Sequence, residues 1–251
     1  MLLDLEGRPG CDNMATDDAL LDEADASGRA FLRLYRWSPP CLSFGRHEPA
    51  ASRYDRAAIA RLGIDVVRRP TGGRAVWHEH EVTYGVVAPV SAFGGVGLRA
   101  SYRAIHERLA MTLRTLGVDA NLASNSPTVR PSDGPTACFA VPVGGEVLIG
   151  TRKVVGSAQV RRGTAFLQHG SILLDGSQDV VTKVSRTPGA AARATSLSAE
   201  LGRSVTFDEV AAAIMATWWA PLITSDRPTV PLASLGAGSS CFADPAWTWR
   251  R

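Results

Sequence analysis

Leu98, Tyr102, Ile105, Leu109, Leu113 and Leu116 recur three and four residues apart and stop at Gly117, a spacing that predicts one amphipathic helix packed on a sheet. Elsewhere the period is different. Residues 31–37 (FLRLYRW) alternate aromatic and aliphatic with polar positions, and residues 64–67 and 82–87 are β-branched runs bounded by turn residues, so each reads as a strand. Residues 41–48 (CLSFGRHE) form a second short strand leaving into a loop, separated from the first by Pro39 and Pro40. Before these, residues 13–26 read as a helix that Asn13 or Thr16 could cap and Gly28 stops; residues 54–62 read as a shorter one closed by Gly63. Residues 118–122 resume extended structure, and 123–136 is a polar, proline-bearing loop of a length that suggests function. The second half is β-rich, with EVLIG, KVVGSAQVRR and TAFLQHGSILLD most simply an antiparallel meander. Helices follow at 179–185 and at 206–219, the latter capped by Thr206, and the final stretch, 224–251, is a poorly specified extension anchored by Trp247 and Trp249. Helix, strands, helix, strands and helices without regular βαβ alternation argue for an α+β layer fold over residues 1–251, a single domain.

Composition narrows the class. A chain of 251 residues that is 45% hydrophobic can bury one large core. A net charge of +3 is too small to imply a nucleic-acid surface and suits an acidic protein partner. The N-terminus lacks the apolar core of a secretory signal and no run reaches membrane-spanning length, so no membrane association is expected and the cytoplasm is. Cys11, Cys41, Cys138 and Cys241 lack CxxC spacing, as free thiols in a reducing compartment would. Of the 27 basic residues only Lys153 and Lys183 are lysines, which singles each out.

Candidate chemistry gathers at two places. The run RRPTGGRAVWHEHEVTY, 68–84, sets Gly72 and Gly73 between strands, where glycine permits a sharp turn and close approach of backbone to a ligand; an ordinary strand connection is the alternative. Cys138 lies after the long polar loop, and Lys153 could fold back beside it across a hairpin; a neighbouring ammonium favours the thiolate and could hydrogen-bond an oxyanion. A buried cysteine and a surface lysine remain the plainer reading. His169 is a candidate proton carrier or a structural histidine. His78 and His80 would share a face of a strand, but without a third convergent ligand no metal site is expected. GxxxxGK[ST], GxGxxG and GxSxG are all absent.

Taken together, NMATDDALL, PPCLSFGRHE, RRPTGGRAVWHEHEVTY, ACFAVP, GTRKVVGSAQ and LQHGSILL resemble, in order and across most of the chain, the biotin/lipoate protein ligase and acyltransferase family. The ATP-dependent ligases of that family carry a third glycine where this chain has Arg74, and need no cysteine at position 138; the chain is more similar to the LipM-type octanoyltransferases. The resemblance implies mixed or antiparallel sheets flanked by helices and transfer of octanoyl from acyl carrier protein to a lysine of a lipoyl domain, of the glycine cleavage H protein type. It implies Cys138 as the nucleophile, through a thioester, with Lys153 orienting the acyl carbonyl and no cofactor. It also implies an acyl pocket lined by Arg69, Gly72, Gly73, Arg74, Ala75, His78, Thr83 and Tyr84, with Gly156, Ser157, Ala158 and His169. An ATP-dependent lipoate ligase working through lipoyl-adenylate, an amidotransferase between lipoyl domains, and a non-catalytic module that docks lipoyl domains are the alternatives.

Overall fold

The structure, a computed structural model, describes residues 2–93, 97–124, 144–187, 194–218 and 239–250. Cys138 and nearly all of the polar loop before it lie outside the described residues.

A five-stranded sheet forms the centre, in the order β1 (Leu2–Arg8), β2 (Phe31–Trp37), β6 (Glu81–Pro89), β11 (Ala165–Leu173) and β10 (Val155–Arg162). All of its pairs are antiparallel except β1 with β2. The two faces follow from strand alternation. Leu32, Leu34, Val82, Val86, Phe166 and Ile172 point to one side, where α4 (Leu98–Thr115) and α7 (Phe207–Thr217) cover them with Ile105, Leu109, Leu113, Val210 and Ile214. Phe31, Val87 and Leu167 point to the other, against Leu20, Leu21 and Ala24 of α1 (Gly10–Ser27). That gives three layers: helices, sheet, helix.

A smaller sheet holds β4 (Asp65–Arg68), β3 (Cys41–Phe44) and β5 (Val76–His78), with β3 parallel to β4 and antiparallel to β5. It packs its own cluster, Leu42, Phe44, Tyr54, Ile59 and Trp77 among it, against short helices that include α2 (Ala50–Arg53), α3 (Arg56–Arg61) and α5 (Asp179–Lys183). A third sheet joins β7 (Ala120–Leu122), β8 (Val147–Ile149) and β9 (Arg152–Lys153). The chain is therefore α+β.

Several elements differ from the sequence reading. β1 escaped it because Asp4, Glu6 and Gly7 interrupt the apolar pattern of an edge strand. α1 starts at Gly10 behind Pro9, so Asn13 and Thr16 cap nothing: Asn13 Nδ2 instead donates to the carbonyls of Arg8 and Arg36. Residues 54–62 do not begin a helix at Tyr54, which bridges to Ser185; the helix starts at Arg56, and Asp55 is its cap. The second half is not one meander. β8 pairs with β7 and β9 with β8, while the β10–β11 hairpin inserts beside β6 in the central sheet. β5 ends at His78, so alternation does not carry to His80, whose side chain is exposed while that of His78 is buried. α6 (Leu197–Leu201), capped by Ser196, was not anticipated.

Candidate active site

The α1 face of the central sheet carries buried charge where an apolar layer would be expected. Arg33, on β2, is fully buried and donates to Asp17 Oδ1 at 2.8 Å and to Asn13 Oδ1 at 2.7 Å, both on α1. Tyr35 donates to Asp17 Oδ2 at 2.9 Å, and His169 Nδ1 lies 2.8 Å from the same oxygen. Burial alone would raise the Asp17 carboxyl, but Arg33 and His169 outweigh it and hold its pKa below the ordinary value. For His169 burial wins over Asp17 and lowers the pKa. A carboxylate can only accept, so His169 carries its proton on Nδ1, and Nε2 accepts from Thr71 Oγ1 at 2.6 Å. Thr71 thus pins the loop after β4 to the central sheet.

A second cluster lies between the two larger sheets. His78 stacks on Trp37 with ring centroids 4.0 Å apart, and its Nδ1 lies 2.8 Å from Glu81 Oε1. Ser171 donates to that oxygen at 2.8 Å and Thr83 also donates to it. Trp37 Nε1 donates to Thr83 Oγ1 at 2.7 Å. Arg69 closes the group: it donates to Ser43 O and Oγ and, through Nη2, to the carbonyls of Gly72 at 3.0 Å and Arg74 at 2.9 Å. The loop is shaped by that guanidinium. Gly45 makes room for it, since a Cβ there would come within 2.8 Å of the Gly73 carbonyl carbon.

Between these clusters opens a pocket of about 320 Å³. Met14, Trp37 and Val76 form apolar wall, Gly156, Ser157, Ala158 and Gly170 contribute small residues of β10 and β11, and Arg69, His78, Thr83, His169 and Ser171 add polar groups. A concave site with an apolar wall and polar groups set along it suits a ligand with an acyl chain and a polar end. Tyr84 lies behind this wall, fully buried, with its hydroxyl 2.6 Å from Ser157 Oγ; burial pushes its pKa well up.

Of the residues expected at the site, Arg69, His78, Thr83, Gly156, Ser157, Ala158 and His169 meet in this pocket. Tyr84 supports it from the far face, and Gly72 and Arg74 shape the loop through their carbonyls. Gly73, at φ 92, turns that loop, and Ala75 is buried in the core of the smaller sheet. Lys153 stands on β9, 1% exposed, with Nζ 2.5 Å from Glu146 Oε1. Asp17, Arg33, Glu81, Thr71 and His106 were not singled out: Asp17, Thr71 and Glu81 lie within the quoted motifs NMATDDALL and RRPTGGRAVWHEHEVTY, while the signal of Arg33 and His106 is a polar residue set on an otherwise apolar face. Among the described residues no group of three or more His, Cys, Asp or Glu could hold a metal ion, and no helix is long and apolar enough to cross a membrane.

Residues 9–218 match the lipoyl protein ligase A/B catalytic domain. The chain is 42% identical over 178 residues to the octanoyltransferase LipM of Carboxydothermus hydrogenoformans, covering 70% of this chain and 65% of that protein. To the octanoyltransferase LipM of Symbiobacterium thermophilum it is 39% identical over 225 residues, covering 83% and 81%. Among solved structures it is similar to a lipoate-protein ligase A bound with ATP, at 25% identity and a TM-score of 0.69 over 86% of this chain and 82% of that one. A T. acidophilum protein solved with bound lipoic acid shares the fold at 22% identity, with a TM-score of 0.78 over 99% and 98%.

Proposed function

Since the chain belongs to the lipoyl protein ligase A/B catalytic domain family, we propose that it is an octanoyltransferase of protein lipoylation that works through a thioester on Cys138. The observation that carries this reading is the 42% and 39% identity to two octanoyltransferases over 70% and 83% of the chain. The Cys138 thiolate attacks the carbonyl of an octanoyl thioester on acyl carrier protein, and the carrier's thiolate leaves. The amine of a lysine on a lipoyl-domain protein, of the glycine cleavage H protein type, then attacks the new thioester. An amide forms, the Cys138 thiolate leaves, and the amine loses a proton. Exchange between thioesters is nearly balanced and aminolysis runs downhill, so the cycle needs no ATP. The pocket beside Ser157 and His169 holds the acyl chain, and Lys153 orients the carbonyl, so that proximity supplies much of the rate. The protein acts in the cytoplasm, where the thiol stays reduced.

Intact-mass measurement after mixing the protein with octanoyl carrier protein tests this. One octanoyl adduct is expected without ATP, lost in Cys138→Ala and discharged by a lipoyl domain. An adenylate that forms only with ATP, or full transfer by Cys138→Ala, overturns it.

A further inference from the structure

The net charge of +3 is unevenly spread. α1 carries Asp12, Asp18, Asp22, Glu23 and Asp25 and no basic residue, and Arg29 and Arg162 pair with acids among them. Around the smaller sheet the balance is different. Arg46, on the turn after β3, has no carboxylate within ion-pair distance among the described residues, and the same holds for Arg56 at the start of α3, for Arg186 and for Arg250. Arg53 has one at 3.5 Å, Glu48, whose side chain is buried and already accepts from Tyr54 at 2.7 Å.

These arginines lie together. Arg250 donates to the Arg46 carbonyl at 2.6 Å and covers the Trp247 ring at 3.8 Å, while Arg56 covers the Trp249 ring at 5.2 Å. Arg186 donates to the Tyr54 carbonyl at 3.1 Å, one residue from Arg53. Burial and then Arg46 hold the Arg250 pKa below its ordinary value. Like charges crowded with so little carboxylate between them cost stability, a local conflict that folds retain at functional surfaces. The face adjoins the pocket: Arg46 N donates to the Thr71 carbonyl at 2.7 Å, and the Thr71 hydroxyl bonds His169 of the pocket wall.

Two proteins must bring a group to that pocket. The acceptor brings a lysine ammonium, a cation that clustered arginines repel. The donor brings an acyl thioester on an arm joined through a phosphodiester, and guanidiniums without carboxylate partners recognise such an anion and the acidic side chains of the protein that carries it. We propose that the face of Arg46, Arg53, Arg56, Arg186 and Arg250 docks the acidic donor, acyl carrier protein, and steers its thioester to the adjoining pocket. This rests on the acyl-transfer reading and names the surface the donor uses. Complementary charge of this kind sets encounter rate and orientation, and salt screens it.

Titration of fluorescently labelled octanoyl carrier protein with the full chain reads docking apart from chemistry. Wild-type affinity should fall at least about 10-fold between about 50 and 500 mM salt. Arg46→Glu and Arg56→Glu should each weaken binding about 3- to 10-fold at low salt, and together by about the product of the two. Arg46→Gln and Arg56→Gln, which only remove charge, should show smaller losses in the same direction and serve if a reversal disturbs folding. Arg29→Glu, beyond the end of α1, should stay within about 2-fold of wild type, and a lipoyl domain should bind the double variant no more weakly than wild type. Affinity that ignores salt, wild-type affinity in the double variant, or a loss confined to the lipoyl domain overturns the inference. Intact mass reads loading separately: salt-dependent docking that never yields an octanoyl adduct would overturn the acyl-transfer reading and leave the docking surface in place, a result distinct from the others.

Discussion

Gly170 has no room for a side chain. A Cβ there would meet the Gly156 carbonyl oxygen at 2.5 Å and Tyr84 Cε1 at 2.9 Å, and would press on Ser157 Oγ. Gly170→Ala should destabilise the fold by about 1–3 kcal/mol, as overpacking does; denaturant unfolding reads that cost, and transfer should fall beyond it because Ser157 is displaced. His106 sets a pH dependence as well. Its folded pKa, about 4, lies below the ordinary histidine value near 6.5, so between them the unfolded chain binds a proton that the native state refuses. Stability linked to His106 is full above pH 6.5 and is lost as pH falls toward 4, by on the order of 3 kcal/mol. Burial of His169 acts in the same direction. Urea titrations across pH 4–7 should show this slope, and His106→Gln should flatten it; an unchanged slope would assign it elsewhere. Neither residue's environment was readable beforehand. His106 follows Tyr102 by one helical turn, on the edge of an apolar stripe, yet its partners, Gly145 and Ser157, come from distant segments. Asp17 and His169 are likewise 152 positions apart and share no motif.

Elements were more legible where local chemistry sets them. β2 and the amphipathic α4 follow from apolar spacing alone, and Gly28, at φ 71, ends α1 where expected. The start of α1 was misplaced because the signal sought was a side-chain cap, whereas Pro9 enters the helix without one. Pairing between sheets has no local signature, so the split of the β-rich half into two sheets stayed hidden. Arg68 shows a different long-range tie, between the smaller sheet and the C-terminal segment. Its fully buried guanidinium donates to the carbonyls of Gly45 and Glu48 at 2.8 Å, of Trp247 at 2.9 Å and of Arg250 at 2.9 Å, while Trp247 Nε1 returns a bond to Arg68 O at 3.1 Å. One side chain thus ties the turn after β3 to the C-terminal helix α8 (Pro245–Thr248) and the residues following it. Arg68→Lys keeps the charge but lacks the planar fork that reaches carbonyls on several sides. It should lower stability by about 2–4 kcal/mol, as loss of a buried network does. Limited proteolysis should then cut near the C-terminus first, where wild type resists; equal resistance would mean that Trp247 and Trp249 suffice as anchors.

At the scale of the molecule, the pocket draws on two sheets. The central sheet supplies its wall and the smaller sheet brings Arg69 and His78 across it, while Lys153 stands on the third sheet and is not among the pocket's lining residues. The glycine-bearing loop and the β10–β11 hairpin were recognisable from sequence because glycine and small residues mark close approach. The ion pair behind Lys153 was not, since Glu146 reads as an ordinary turn residue. That pair complicates any test of Lys153 as the group that orients the acyl carbonyl. Lys153 and Glu146 are 1% and 4% exposed, so removing the lysine takes its ammonium away from a buried carboxylate. Lys153→Met should therefore cost about 3–5 kcal/mol of stability whatever its role in transfer. Adding Glu146→Gln removes that buried charge and should return more than half of that loss, measured by denaturant unfolding. If Lys153 orients the acyl carbonyl, the double variant stays folded and still fails to load octanoyl onto Cys138. A stable double variant that loads and transfers at the wild-type rate would reduce Lys153 to a structural partner of Glu146 and leave the thiol to act without it.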